Sequence, residues 1–197
     1  MTSIETALRA VSAEFTRARV SFALVGGLAV SVRTEPRFTR DADLAVALAT
    51  DAEAEALVQS LRAHQFGIGA VVEQEAAGRL ATVRLTLSAE PHTPVVDLLF
   101  ASSGIEAEVV ADAEPIDILP QLTMGVARTG HLIALKVLSR DDERRPQDLV
   151  DLRALVRVAS PTEITRARDA IALIAARGYH RGRDLTSEMN RLVSPVD

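Results

Sequence analysis

Apolar residues recur at helical spacing at the start of the chain, where Ile4, Leu8, Val11 and Phe15 share one side. The spacing predicts an amphipathic helix over 4–18. Phe22-Ala23-Leu24-Val25 then runs apolar without a break, the length of a short buried strand spanning 21–25. Gly26-Gly27 predicts a turn, followed by a short helix over 28–34 that Pro36 ends. A second strand is expected at 42–48. Thr50-Asp51 marks the start of a helix over 52–64, with Ala54, Leu57, Val58 and Leu61 on one side. Residues 68–73, 79–88 and 94–100 alternate or run apolar, as strands do. The stretch 105–119 reads as a further edge strand or hairpin.

From residue 129 the pattern turns helical. Thr129-Gly130 opens a helix through Ser139, and 141–146 is a charged turn. Pro146 suits the first turn of a helix over 146–158. Ser160 reads as the cap of the next helix, with Glu163 closing a capping box and Gly178 stopping it after Arg177. A last helix is expected at 184–193. The fold class is α+β. A mixed sheet with flanking helices fills 1–125, and a helical bundle fills 126–197.

Composition narrows the setting. The 197 residues are 48% hydrophobic, enough for one domain with a large core or two small ones. No long uncharged apolar run is present, so no transmembrane helix is expected. Met1-Thr2-Ser3-Ile4-Glu5 lacks the basic start and apolar core of a signal peptide, which makes a cytoplasmic location the default expectation. There is no cysteine, hence no disulfide framework and no thiolate ligand or nucleophile. The four histidines lie at 64, 92, 131 and 180, without the spacing of a zinc site.

Charge is unevenly spread. The net charge is −5, yet residues 1–125 hold 9 Arg against 17 acids (−8), while 126–197 hold 12 Arg and one Lys against 10 acids (+3). Such a split fits an acidic catalytic part and a basic, substrate-facing part. A helical bundle with a solvated arginine surface gives the same balance.

The candidate chemistry is carried by three carboxylates. Asp41 and Asp43 are i and i+2 at the start of a predicted strand, so both leave the same face. Like charges so placed repel unless a cation sits between them. Asp97 interrupts the apolar run Val95-Val96-Asp97-Leu98-Leu99-Phe100, where an unpaired carboxylate is costly. A shared divalent metal resolves both problems, and Mg²⁺ suits an all-oxygen shell. A Gly-Gly turn nearby lets the backbone approach phosphates closely. Together these parts point to metal-assisted phosphoryl or nucleotidyl transfer.

Phe22-Ala23-Leu24-Val25-Gly26-Gly27-Leu28-Ala29, followed by Arg37-Phe38-Thr39-Arg40-Asp41-Ala42-Asp43-Leu44, resembles the nucleotidyltransferases of the polymerase-beta-like fold. Among them it is most similar to the AbiEii-type toxins of bacterial toxin–antitoxin systems, including the mycobacterial MenT group. Leu132-Ile133-Ala134-Leu135-Lys136, Arg140 and Gln147-Asp148-Leu149-Val150-Asp151-Leu152 extend the likeness, which spans residues 20–155. The resemblance implies an NTP-dependent enzyme, with ATP among its possible nucleotides. Asp41, Asp43 and Asp97 would hold two Mg²⁺ ions. Gly26, Gly27, Arg40 and Lys136 would bind the nucleotide, and Lys136 and Asp148 would belong to the catalytic set. It further implies transfer to RNA, above all to the tRNA 3′ acceptor end, with a block of translation restrained by a cognate antitoxin. One departure stands out. Many members have Gly-Ser where this chain has Gly26-Gly27, so backbone N–H groups must replace the serine hydroxyl.

Other residues enter with two readings each. Lys136 is the one lysine in the chain and lies in an apolar stretch, where its amine needs a partner or must snorkel to the surface. Asp148 and Asp151 share a helix face, as site residues or as ordinary surface charges. Arg37 and Arg40 flank the carboxylates and could hold phosphates. Arg144, Arg145 and Arg153 are candidates for RNA contact, mainly electrostatic because aromatics make up only 3% of the chain. Thr39, Asp41 and Asp43 fall at i, i+2 and i+4, which makes Thr39 a candidate regulatory phosphosite or simply a loop-packing threonine. Two rivals to the RNA-modifying enzyme remain open. One is a small-molecule, antibiotic-modifying nucleotidyltransferase; the other is an inactive module of the same fold.

Overall fold

The computed structural model of the chain describes residues 4–39, 41–64, 66–74, 78–87, 94–141 and 145–193. The amphipathic spacing at the start forms α1 (Ile4–Ala18), which buries Ala7, Leu8, Val11 and Phe15. Phe15 meets Phe22 edge to face at 4.7 Å between ring centres, which seats α1 against the first strand. That strand is β1 (Phe22–Val25), and it leads directly into α2 (Gly26–Arg33). The helix therefore begins at Gly26, two residues before its expected start.

The next elements are β2 (Asp41–Val46), α3 (Asp51–Ala63), β3 (Gly67–Gln74), β4 (Arg79–Thr86) and β5 (Val95–Leu99). In β2 the alternation follows the sequence: Ala42, Leu44 and Val46 are buried, while Asp41 is exposed and Asp43 half-buried. Thr50 caps α3 in a full capping box with Glu53, which fixes where that helix starts. After β5 come α4 (Glu106–Ala111), β6 (Glu114–Leu119) and β7 (Leu122–Val126). The expected edge strand or hairpin at 105–119 is thus a short helix plus one strand. Six residues are too few for α4 to show a helical period, and its buried Val109 reads equally well as a strand position. The β6–β7 hairpin turns at Pro120-Gln121, with Gln121 at a φ of 60°.

All seven strands join one mixed sheet in the order β3-β4-β5-β2-β1-β7-β6. β2 lies at its centre, antiparallel to β1 and parallel to β5. The helical half comprises α5 (Thr129–Ser139), α6 (Pro146–Val158), α7 (Pro161–Ala176) and α8 (Leu185–Val193). α5 is its hub, packing on α2, α6, α7 and α8. Ser160 caps α7 by accepting from the Glu163 N–H, as expected. The Glu163 carboxylate does not close a capping box. It accepts instead from the Gly130 N–H at 2.6 Å, tying α7 to the start of α5. Among the described residues no helix is long and apolar enough to cross a membrane.

Candidate active site

The sheet places its carboxylates by register. Asp43 on β2 lies beside Asp97 on β5, and Asp97 lies beside Arg84 on β4. On the other side Asp43 faces Val25, the last residue of β1. One row across the sheet thus reads Val25, Asp43, Asp97, Arg84. Gly26 follows Val25 with a φ of +64°, in the left-handed region that favours glycine. A Cβ at Gly26 would lie 1.8 Å from Asp43 Oδ2, so only glycine lets the carboxylate rest against the start of α2. The N-cap of α2, Val25, offers no side-chain acceptor to the first N–H groups of this helix.

The two central carboxylates differ in their neutralisation. Burial and then the neighbouring charge of Asp97 raise the pKa of Asp43 to about 6; Asp41 adds to the rise, and Lys136 and Arg145 oppose it. Asp97, 8% exposed, is held by a bidentate pair from Arg84, Nε to Oδ1 at 2.9 Å and Nη2 to Oδ2 at 2.7 Å. Arg84 responds with a raised pKa, owing first to that hydrogen bond.

Facing the sheet is a wall of helices. Lys136 of α5 donates from Nζ to Asp148 Oδ1 at 2.5 Å and pairs with Asp151 Oδ2 at 2.9 Å, both on α6. Asp151 also accepts from Arg37, Nε to Oδ1 at 3.0 Å and Nη2 to Oδ2 at 2.8 Å, and from Gln147 at 3.0 Å. Burial acts against the ionised form of Asp151, but bonds from Gln147, Arg37 and Lys136 outweigh it and hold its pKa below the usual value. Between sheet and helices opens a cavity of about 260 Å³, lined among others by Gly26, Asp43, Asp97, Lys136, Arg145 and Asp148.

Six of the residues expected from the sequence therefore meet in one cavity. Asp41 is exposed at the edge of β2, on the same face as Asp43. Gly27 adjoins Arg37 and Thr39: a Cβ there would lie 2.7 Å from Arg37 Nη2 and 3.5 Å from Thr39 Oγ1. A side chain at Gly27 would therefore meet the tip of the Arg37 guanidinium. Thr39 donates from Oγ1 to the Asp41 carbonyl at 3.1 Å. Arg153 lines a separate groove with Arg140 and Arg157. Arg40 and Arg144 lie outside the described residues.

Three residues enter the site that were not singled out, or left open, from the sequence. Arg84 is fixed on Asp97 by the β4–β5 register. Asp151 completes the Lys136 cluster. Arg181 reaches the cavity from the turn between α7 and α8. Among the described residues no three His, Cys, Asp or Glu side chains form a group ready to hold a metal ion. Arg84 already covers Asp97, and Asp41 stands out in solvent.

The central strands, the carboxylate row and the facing lysine helix define a nucleotidyltransferase fold. Solved structures agree. The antigenic nucleotidyltransferase-like protein from Paracoccidioides brasiliensis superposes with a TM-score of 0.54 at 18% identity, over 96% of this chain and 94% of that one. The antibiotic-resistance factor ANT(2″)-Ia gives 0.53 at 18% identity, over 97% and 98%. The lincosamide antibiotic adenylyltransferase LnuA gives 0.51 at 12% identity, over 81% and 100%. No curated protein matches the chain in sequence. The profile of the family described as nucleotidyl transferase AbiEii toxin, type IV toxin–antitoxin system, matches residues 7–196. The chain belongs to that family.

Proposed function

We propose that this toxin-family nucleotidyltransferase moves nucleotides from an NTP to RNA, with the tRNA 3′ acceptor end as target, and so blocks translation. The observation that carries the RNA part is a groove on α6 and α8 lined by Arg140, Arg153, Arg157, Arg183 and Arg191 with Glu188 as the acid. The groove starts beside the cavity. Arg183 donates to the Leu138 carbonyl at 2.9 Å, and Leu138 lines the cavity wall. Clustered guanidiniums suit a phosphodiester backbone and have no use for a small cationic acceptor.

In this reading residues 1–125 supply the catalytic core and 126–197 the helical, substrate-facing part. The N–H groups at Gly26 and Gly27 receive phosphate oxygens at the start of α2. Asp43 and Asp97 fit a divalent cation, because both are oxygen donors side by side in register, and the Asp97 charge adds to the burial that raises the pKa of Asp43. Asp41 would complete a two-Mg²⁺ set once Arg84 releases Asp97. A bound Mg²⁺ supplies charge neutralisation between carboxylates and triphosphate. Lys136, steadied by Asp148 and Asp151, adds a fixed cation to the opposite wall. Asp97, once Arg84 releases it, would take the acceptor proton.

Two regulatory readings accompany this one. A cognate antitoxin, as the family description implies, restrains the enzyme. Phosphorylation of Thr39 is a second brake. Its hydroxyl lies beside the start of α2, where an added charge of about −2 would compete with the triphosphate for the same N–H groups. Mass spectrometry of toxin produced with its antitoxin would reveal that modification, and full activity of Thr39→Glu would reject it.

The direct test of function incubates purified protein with labelled NTPs, Mg²⁺, total RNA and a panel of antibiotics. Label on tRNA is the expected result, weakened in Arg153→Glu/Arg157→Glu with NTP affinity unchanged. Label on an antibiotic alone would replace RNA with a small-molecule acceptor. No label on any acceptor would leave an inactive module.

A further inference from the structure

Arg181 occupies the turn between α7 and α8, in the run His180-Arg181-Gly182-Arg183. Its backbone φ is +54°, beside Gly182 at +70°. An L-residue is disfavoured there, and glycine would be the comfortable choice. The side chain nonetheless reaches the catalytic cavity, whose lining it shares with Gly26, Asp43 and Arg145. Its one hydrogen bond given by the structure is long, from Nη2 to the Ser102 carbonyl at 3.3 Å.

The electrostatic setting is one-sided. Arg37, Arg84, Arg177 and Arg183 each hold a carboxylate, Asp151, Asp97, Glu108 and Glu188 respectively. Arg181 has no such partner among the described residues. The charges that act on it are Arg183 and Arg145, and partial burial followed by these two guanidiniums pushes its pKa below the usual arginine value. The residue as a whole is exposed, so burial alone does not neutralise it. Arg145 is little better matched: its side chain is 64% exposed and its Asp148 contact is 4.0 Å long. Lys136, by contrast, is spent on two carboxylates.

Two guanidiniums therefore border the catalytic cavity without a close carboxylate partner among the described residues, one of them on a strained backbone. Strain of this kind persists where the surroundings enforce it and clusters at ligand clamps. A planar fork of N–H donors matches the tetrahedral oxygens of phosphate better than any neutral ligand. We infer that Arg181, together with Arg145, forms a phosphate-binding subsite on the helical rim of the catalytic cavity. The subsite rests on the nucleotidyltransferase reading and sharpens it. The phosphate comes either from the NTP or from the acceptor strand entering along the arginine groove.

The test uses the full chain and calorimetric titration with three probes: inorganic tripolyphosphate, a non-hydrolysable NTP analogue and a short RNA oligonucleotide. Arg181→Gly removes the guanidinium while relieving the positive φ, and Arg181→Lys keeps a charge without the fork. The expected result is an affinity loss of about tenfold or more in Arg181→Gly and a smaller loss in Arg181→Lys, with the melting temperature of Arg181→Gly held or raised. A loss confined to tripolyphosphate and the NTP analogue assigns the NTP as the source; a loss confined to RNA assigns the acceptor strand. Unchanged affinity for all three probes overturns the subsite, as does unfolding of Arg181→Gly, which would make the residue structural. Arg181-dependent phosphate binding in a protein that labels no RNA would leave the subsite standing and refute the acceptor assignment instead.

Discussion

The two walls of the cavity balance their charges in opposite ways. On the sheet wall Asp43 is half-buried beside a second carboxylate, and its pKa has climbed to about 6. On the helical wall Lys136, Asp148, Asp151 and Arg37 form a closed set in which every charge has a partner within 3.0 Å. A wall that is short of cations is one that awaits them; a wall already neutralised holds its shape without ligand. Under the proposed function the sheet wall carries the chemistry, and the Lys136–Asp148–Asp151–Arg37 set is a self-neutralised part of the facing wall. Arg84 belongs to neither pattern. It lends its charge to Asp97 from the sheet's own surface, half in solvent at 47% exposure.

The largest effect should come from the unbalanced wall. Asp43→Asn is expected to lower nucleotide transfer by about 10³-fold or more, the scale of losing a group that acts on the transition state. Its effect on stability should have the opposite sign. The folded pKa of Asp43, about 6, lies above its ordinary value of 3.8. The folded state then binds the proton more tightly, so wild-type stability is greatest below the lower value and declines as pH rises through this window. The decline amounts to about 3 kcal/mol at most, since each pKa unit is worth about 1.4 kcal/mol. Urea unfolding at a series of pH values should show the decline in the wild type and lose it in Asp43→Asn. An unchanged pH slope would mean that Asp43 is already neutralised in solution.

Breaking the balanced wall should do the reverse. Lys136→Ala strands Asp148 and weakens the hold on Asp151, both nearly inaccessible side chains. Removing one partner of such a buried pair is expected to destabilise the fold by about 3 kcal/mol. Adding Asp148→Asn should restore much of that stability. If NTP affinity returns with it, the lysine is a scaffold; if affinity stays low in a refolded double variant, Lys136 touches the triphosphate. The single variant cannot separate the two, because lost folding and lost binding look alike.

Arg84 offers a finer probe of the sheet wall. Arg84→Gln should free Asp97 for a divalent cation, and Mn²⁺ titration followed by paramagnetic resonance should show tighter binding, by about three- to tenfold. The accompanying loss of stability should stay near about 1 kcal/mol, because the guanidinium is partly solvated. Mn²⁺ affinity that falls or stays level in this variant would show that Arg84 organises Asp97 rather than occupying it.

This contrast was only half legible in the sequence. Asp43 and Asp97 stand out because a charge in an apolar run is locally conspicuous, and helices such as α1 and α3 declare themselves by period and cap. The need of Lys136 for a partner was equally plain. Which partner it takes depends on how α5 packs on α6, and spacing alone left both the triphosphate and the surface open. Arg84 became part of the site only through the β4–β5 pairing, a register that the alternation of residues along one strand does not reveal. Arg181 lies in a turn rich in Gly and Arg, which looks the same in sequence whether it faces solvent or a cavity. α4 and β7 are short, six and five residues, and short elements carry little periodic signal.

The smallest expected effect compares two adjacent glycines at the join of the walls. At Gly26 a side chain would strike Asp43 Oδ2 and meet a backbone φ of +64°, so no substitution is tolerable there. At Gly27 the obstacle is the tip of a flexible side chain, Arg37 Nη2 at 2.7 Å. Gly27→Ser restores the serine seen in many family members, and the guanidinium can yield by a small rotation. That rotation stretches one of its two bonds to Asp151, which Lys136 and Gln147 continue to hold. The expected loss is therefore only about 0.5–1 kcal/mol, within the range of one hydrogen bond. NTP affinity should change by less than about threefold, because the hydroxyl adds a donor where backbone N–H groups already serve. Thermal unfolding with and without NTP measures both quantities. A loss of several kcal/mol would show that the Arg37–Asp151 bridge fastens α6 to the core, and that the helical wall depends on the sheet side for its own stability.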